Sequence, residues 1–134
     1  MRGRTARPGE EPSKRNDYWG VVLSAPDPQS LGRFYASLLE WRIVRDEPGW
    51  TTIYPDEGVA SIAFQREENY VPPVWPEVEG RQQMMMHLDI EVDDLQAAVE
   101  HATELGATEA DVQPQENVRV MLDPAGHPFC LYTG

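Results

Sequence analysis

The sequence predicts an α+β protein built from two tandem copies of a βαβββ unit. Three observations predict this fold class. Short apolar runs and two helical patterns follow one another in the order β-α-β-β-β, and this order occurs twice in 134 residues. Each helical pattern begins at an aspartate that can cap free backbone amides. One constant shift, the one that carries Val21 onto Leu88, brings apolar residues of the first half onto apolar residues of the second.

The first unit opens with a predicted strand and helix. Trp19–Ala25 is short, apolar and rich in valine, and Pro26 ends it. Asp27 is a helix N-cap and Pro28 suits the first helical position. The helix is predicted from apolar residues at i, i+3, i+4, i+7 and i+8, namely Leu31, Phe34, Tyr35, Leu38 and Leu39.

Three strands and a linker complete this half. Strands are predicted at residues 41–45, 50–54 and 59–66. The residues between them, 46–49 and 55–58, have the composition of turns. Residues 68–83 contain three prolines, several charges and little periodicity, which predicts a linker.

The second unit repeats the pattern. Residues 84–92 are a predicted strand, Asp93 or Asp94 caps the next helix, and Gly106 ends it. The apolar helix positions are Leu95, Ala98, Val99, Ala102 and Leu105. Further strands are predicted at 108–112, 118–122 and 129–133, with a turn at 123–126 in which His127 follows Gly126 and is expected to face solvent.

The two halves match in register. Six pairs are related by the same shift: Val21 and Leu88, Leu23 and Ile90, Asp27 and Asp94, Leu31 and Ala98, Tyr35 and Ala102, Leu38 and Leu105. Six pairs in one register indicate an internal duplication. We therefore expect one domain at 17–134, with repeat 1 at about 17–67 and repeat 2 at 84–134.

Charge and cysteine content narrow the function classes. The chain has 11 Lys and Arg against 23 Asp and Glu, a net charge of −12. Residues 1–16 carry +3 and are predicted to form a flexible basic tail, which leaves −15 on the rest. So acidic a domain disfavours nucleic acid and anionic membranes as partners. One cysteine excludes an internal disulfide, and we expect a cytoplasmic protein without a signal peptide or membrane span.

Three segments carry a likeness to a known family. They are GVVLSAPD at 20–27 with FYASLL at 34–39, HLDIEVDD at 87–94 with ELGA at 104–107, and DPAGHPF at 123–129. They resemble the vicinal oxygen chelate (VOC) superfamily, which includes glyoxalase I, bleomycin-resistance proteins, extradiol dioxygenases and fosfomycin-resistance enzymes. The likeness covers about residues 18–133 and is nearest to bacterial glyoxalase-like proteins. It implies the glyoxalase/bleomycin resistance/dioxygenase fold, in which the two modules form a curved mixed sheet around a concave pocket. It also implies a homodimer.

Strand alternation predicts which side chains face that pocket. On the fifth strand Leu88, Ile90 and Val92 match helix-facing positions, which leaves His87, Asp89 and Glu91 to face the pocket. Cys130 and Tyr132 face it from the last strand. The constant shift between the halves adds a set from the first half: Gly20, Val22, Ser24, Ala63 and Gln65.

The resemblance implies four metal-ligand positions, at Gly20, Ala63, His87 and Cys130. Only His87 and Cys130 have side chains that coordinate metals. A further oxygen ligand is available from Gln65, Asp89 or Glu91, and a register shift of two on the fourth strand would place Gln65 at the ligand position instead of Ala63. We therefore expect a degenerate metal site with no cofactor, and keep a divalent metal at His87 and Cys130 as the alternative.

A pocket with small residues in one half suits a small organic ligand. Its predicted binding residues are Gln65, His87, Asp89, Glu91, Cys130, Tyr132, Trp50 and Tyr54, and Tyr70 and Trp75 are further aromatic candidates. Asp89 and Glu91 favour a cationic or hydroxyl-bearing ligand unless they point to solvent at the rim. The preferred function is a metal-independent small-molecule binding protein. The alternatives are a metal-dependent lyase, isomerase or dioxygenase, and an interaction module without a small ligand.

Overall fold

Two four-stranded mixed sheets, each packed against one helix, make up the part of the chain that the computed structural model describes, residues 19–134. The predicted basic tail at 1–16 lies outside the described residues. The chain divides after Glu67 into two compact units, unit 1 and unit 2. Both units have the order βαβββ, so the predicted α+β class of tandem modules is confirmed.

Unit 1 contains the first five elements. These are β1 (Trp19–Ala25), α1 (Pro28–Leu39), β2 (Arg42–Glu47), β3 (Trp50–Tyr54) and β4 (Ala60–Arg66). The strand order is β1-β4-β3-β2, with β1 and β4 parallel and the other pairs antiparallel. A parallel β1–β4 pair requires a long connection between them, and α1, β2 and β3 supply it.

The predicted cap and apolar face of α1 determine how it packs. The Asp27 carboxylate accepts a hydrogen bond from the Ser30 amide at 3.1 Å, and Pro28 is the first helical residue. Tyr35 is fully buried, and its ring stacks on that of Phe64 in β4 with centroids 5.6 Å apart. The core of unit 1 is therefore the layer between α1 and the sheet.

Unit 2 has the same architecture. Its elements are β5 (Leu88–Glu91), α2 (Leu95–Glu104), β6 (Thr108–Glu109), β7 (Val118–Leu122) and β8 (Pro128–Tyr132). The strand order is β5-β8-β7-β6. Asp94, not Asp93, caps α2, because its carboxylate accepts from the Ala97 amide at 3.0 Å. Gly106, with φ of 113°, follows the last helical turn as predicted.

The strand registers support the duplication. Val21 pairs with Ile62 and Val22 with Ala63 in unit 1, while Leu88 pairs with Phe129 and Asp89 with Cys130 in unit 2. The shift that carries Val21 onto Leu88 also carries each of the other three residues of unit 1 onto its counterpart. This register makes Ala63, rather than Gln65, the counterpart of Cys130.

Two predicted strands are shorter than expected. The strand at 84–92 begins only at Leu88, because Met85 has a positive φ of 60° and the Met86 amide bonds back to the Met84 carbonyl at 2.6 Å. The strand at 108–112 ends at Glu109. There the Ala110 amide still donates to the Val120 carbonyl at 3.0 Å, but the Val120 amide donates to the Gln113 side chain, so a side chain replaces one of the two bonds of the next ladder pair.

The predicted linker at 68–83 is part of unit 2. Its Tyr70 hydroxyl donates to the Ala125 carbonyl at 2.7 Å, and Trp75 Nε1 donates to the Val112 carbonyl at 3.3 Å. The linker is therefore held against the β7–β8 turn and the loop after β6. Neither α1 nor α2 has the length and apolar character needed to cross a membrane.

Candidate functional site

A cavity of about 410 Å³ opens within unit 2. One part of its wall is apolar and comes from Trp75, Met84, Pro114, Val118, Val120 and Pro128. The other part is polar or amphipathic and comes from His87, Asp89, Gln115, Asn117, Cys130 and Tyr132. The cavity thus combines apolar side chains with polar ones, and such a combination is found in sites for small molecules.

Strand alternation places one sheet face on this cavity, as predicted. Cys130 on β8 pairs with Asp89 on β5 and with Val120 on β7, and all three line the cavity. The intervening residues Phe129 and Leu131 are buried on the opposite face, which packs against α2. The period of two in a strand is the physical reason why the sequence could locate these side chains.

His87, Asp89 and Cys130 form a polar cluster at this wall. His87 Nε2 lies 3.0 Å from Asp89 Oδ1. Cys130 is the strand partner of Asp89, and its sulfur lies within 4.8 Å of the Asp89 carboxylate. Burial, and then the charge and hydrogen bond of Asp89, raise the pKa of the Cys130 thiol to about 11. The thiol is therefore protonated at neutral pH.

The same three residues fit a divalent metal. Their ligand atoms all lie within 4.8 Å of one another. Imidazole nitrogen, carboxylate oxygen and cysteine sulfur are all ligands of Zn²⁺, and three protein ligands leave the open position that a catalytic zinc needs. The sequence named His87 and Cys130 as candidate ligands, with an oxygen from Gln65, Asp89 or Glu91; of these three, Asp89 is the one whose oxygen lies within 4.8 Å of the other two ligand atoms.

Unit 1 has no equivalent cluster among its described residues. Gly20, Val22 and Ala63 stand at the positions that correspond to His87, Asp89 and Cys130. At Gly20 the Ser61 side chain occupies the space that a Cβ atom would take. Among the described residues, the group that could hold a metal ion thus lies in unit 2, and the corresponding positions of unit 1 do not reproduce it.

Of the other predicted site residues, only some line the cavity of unit 2. Tyr132 lines the cavity, whereas Glu91 is exposed at the end of β5 and is not one of the cavity-lining residues of unit 2. Gln65, Trp50 and Tyr54 belong to unit 1, where Trp50 pairs with Gln65 across β3 and β4. A role of these three in ligand binding stays a prediction.

The sequence did not predict three residues of the cavity wall, and the environment that it predicted for His127 is wrong. Pro114, Gln115 and Asn117 lie in the irregular loop before β7, which has no periodic pattern. His127 was expected to face solvent, but its side chain is only 15% exposed. Its Nδ1 lies 2.8 Å from the carboxylate of buried Asp123, so the turn itself encloses the imidazole.

Comparison with known proteins agrees with the fold. A glyoxalase-like domain family matches residues 20–132. The fosfomycin resistance protein FosX from Mesorhizobium loti is 18% identical, with 87% of this chain and 90% of that chain covered and a TM-score of 0.64. A glyoxalase/bleomycin resistance protein/dioxygenase family enzyme from Burkholderia phytofirmans PsJN is 21% identical, with 85% and 95% covered and a TM-score of 0.62.

A third solved structure is named an antibiotic binding protein. It is TnmS3 from Streptomyces sp. CB03234, 19% identical, with 84% of this chain and 92% of that chain covered and a TM-score of 0.51. No curated protein matches the chain. The family match extends over most of the sequence and agrees with the duplicated βαβββ architecture. The chain therefore belongs to the glyoxalase-like domain family.

Proposed function

We propose that this protein binds a small organic molecule in the cavity of unit 2. The observation that carries the proposal is the composition of the wall, where apolar side chains such as Trp75 and Pro128 surround a few polar groups that include Asp89 and Asn117. Apolar surface supplies affinity and a few placed polar groups supply orientation. The volume of about 410 Å³ falls in the range of roughly 300–1,000 Å³ that is usual for such sites.

The relatives give this proposal secondary support. One is named for resistance to fosfomycin and another as an antibiotic binding protein, so small molecules are the ligands that these names attach to this fold. At 18% and 19% identity the likeness shows the fold alone. The ligand of this chain therefore has to be inferred from the residues of its own cavity. Catalysis is not needed for such a role.

A thermal-shift screen of a chemically diverse compound set tests the proposal. A ligand that binds only the folded state raises Tm by mass action. In Val118→Trp an indole enters the cavity from β7, and we expect it to abolish the shifts. The matched control, Val44→Trp, adds the same side chain at an exposed position of β2 and should keep them. A screen without hits, or hits that persist in Val118→Trp, would contradict the proposal and favour an interaction module.

A second candidate function is a metal-dependent enzyme, favoured by the cluster of His87, Asp89 and Cys130. A divalent metal bound there would act as a Lewis acid that polarises an oxygen of the substrate. His87, just before β5, Asp89 on β5 and Cys130 on β8 would hold it. A lyase or isomerase is the reaction class we place with this candidate.

Metal analysis of the untagged protein separates the two candidates. The binding-protein proposal expects substoichiometric zinc, cobalt and manganese after purification. A stoichiometric metal that is lost in His87→Ala and retained in His101→Ala would favour the enzyme. His101 is a suitable control because it is exposed on α2. Light scattering of the same samples tests the expected homodimer.

A further inference from the structure

We infer that the cavity of unit 2 selects a flat organic cation over neutral or anionic molecules of the same shape. This inference rests on the proposed function and names the ligand class of the same site. It combines the formal charges of the wall, the charge of the surrounding unit and the position of two aromatic side chains.

The formal charges of the wall have one sign. Asp89 is the one carboxylate among the cavity-lining residues of unit 2, and neither lysine nor arginine occurs among them. The Asp89 side chain is 60% exposed, so its carboxylate remains accessible although His87 and Cys130 contact it. A cation that enters the cavity therefore gains a charge-assisted partner, and an anion meets no fixed positive charge.

The charge of the whole unit acts in the same direction. Residues 68–134 contain thirteen aspartates and glutamates and two arginines, a net charge of −11. Arg119, on the opposite face of β7, donates to the Glu116 carbonyl at 2.9 Å and lies 3.6 Å from Glu109. Its guanidinium is thus engaged away from the cavity. A cleft inside a unit of one charge sign concentrates ions of the opposite sign.

Two aromatic side chains favour a flat cation with delocalised charge. Trp75 and Tyr132 both line the cavity. The bond from Trp75 Nε1 to the Val112 carbonyl restricts the indole, so less conformational entropy is lost when a ligand packs on it. Aromatic faces attract cations, and tryptophan does so most strongly. A fused-ring cation can use this attraction and the Asp89 carboxylate together.

Three probes with the same linear three-ring shape and different charge test the inference. 9-Aminoacridine is a cation, 9-anthracenemethanol is neutral and 9-anthracenecarboxylate is an anion. Affinities are measured by tryptophan quenching and calorimetry at a pH of about 8, where free imidazole is neutral. We expect 9-aminoacridine to bind at least tenfold more tightly than either of the others.

Two aspartate variants distinguish the effect of the Asp89 carboxylate on binding from the effect of the net charge of unit 2. Asp89→Asn should weaken 9-aminoacridine binding about tenfold and leave 9-anthracenemethanol binding unchanged. The matched control is Asp93→Asn, which removes the same charge from an exposed position of unit 2 outside the cavity wall. It should retain wild-type affinity for all three probes.

The outcomes distinguish this inference from the proposed function. Equal or tighter binding of the neutral or anionic probe overturns the inference and leaves the proposed function standing, as does an equal loss in both aspartate variants. Failure of all three probes, while other compounds raise Tm, also overturns the inference. If no compound raises Tm, the proposed function fails and the inference fails with it.

Discussion

Asp89 and Cys130 are direct partners across the parallel β5–β8 pair, and the Asp89 carboxylate lies within 4.8 Å of the Cys130 sulfur. An anion next to a thiol disfavours loss of the thiol proton, because a second negative charge would form beside the first. Burial is the larger cause of the raised pKa and acts in the same direction. Burial and the Asp89 carboxylate together keep the Cys130 thiol protonated at neutral pH.

Cys130 should react slowly with alkylating reagents in the metal-free protein. Only the thiolate is nucleophilic, and the pKa of about 11 keeps it scarce at neutral pH. The rate of reaction with iodoacetamide should rise about tenfold per pH unit from about pH 7 to pH 10. Because the chain has one cysteine, total labelling reports this site alone.

Two references make this rate interpretable. Asp89→Asn should accelerate labelling at neutral pH, since it removes the adjacent negative charge. The urea-unfolded protein supplies the rate of an ordinary thiol. A folded protein that is labelled as fast as the unfolded chain at pH 7 would show that Asp89 and burial do not protect the thiol.

Tyr70 should stabilise unit 2 through its hydroxyl. The hydroxyl donates to the Ala125 carbonyl at 2.7 Å and lies 3.3 Å from His127 Nε2. Tyr70→Phe removes this bond and leaves the carbonyl without it, so we expect a loss of about 1 kcal/mol in the free energy of unfolding. Urea denaturation measures it, and Tyr54→Phe, on β3 of unit 1, provides a comparison. An unchanged midpoint for Tyr70→Phe would contradict the assigned role.

The alkaline limit of stability should also depend on Tyr70. Burial, and then the charge of Asp123, raise the pKa of its phenol above the usual value of 10. The unfolded chain therefore releases this proton at lower pH than the folded chain does. The contribution of the Tyr70 phenol to the free energy of unfolding is fully present below about pH 10 and decreases as the pH rises further. In Tyr70→Phe this decrease should be smaller between about pH 10 and 11.

The sequence predicted those features that depend on local periodicity and capping. Strand alternation located Asp89 and Cys130 on the cavity face, and the repeat register located their counterparts Val22 and Ala63. Both are consequences of backbone geometry, in which side chains two residues apart share a face. The fold class followed from the same information.

Features created by tertiary contacts were not predictable. The Gln113 side chain accepts a hydrogen bond from the Val120 amide and so replaces one backbone bond of the β6–β7 ladder, although residues 108–112 have strand composition. His127 is polar and follows a turn glycine, yet Asp123 and Tyr70 enclose it. In each case the contacts of one polar side chain decide the outcome, and no periodicity in the sequence records such contacts.

Gly32 and Thr51 should be coupled in stability. A Cβ atom on Gly32 would overlap Cγ2 of Thr51, because α1 lies directly on β3 there. Gly32→Ala should therefore lower the free energy of unfolding by about 1–3 kcal/mol despite the better helix propensity of alanine. Thr51→Ala removes the overlapping methyl group. In a double-mutant cycle the combined loss should be smaller than the sum of the single losses, and simple additivity would contradict the contact.

Two adjacent aspartates, Asp93 and Asp94, give a matched test of helix capping in unit 2. The Asp94 carboxylate bonds to the Ala97 amide at 3.0 Å, and the residue has the extended backbone of an N-cap, with φ of −131° and ψ of 109°. Asp94→Ala leaves an amide of the first helical turn without its partner, so it should lower the free energy of unfolding by about 1 kcal/mol. Asp93→Ala removes the same charge one residue earlier and should change the free energy of unfolding by less than about 0.5 kcal/mol. Because both variants alter the net charge equally, a difference between their urea midpoints measures the cap alone. Equal midpoints would show that the carboxylate of Asp94 contributes through charge and not through the bond to Ala97.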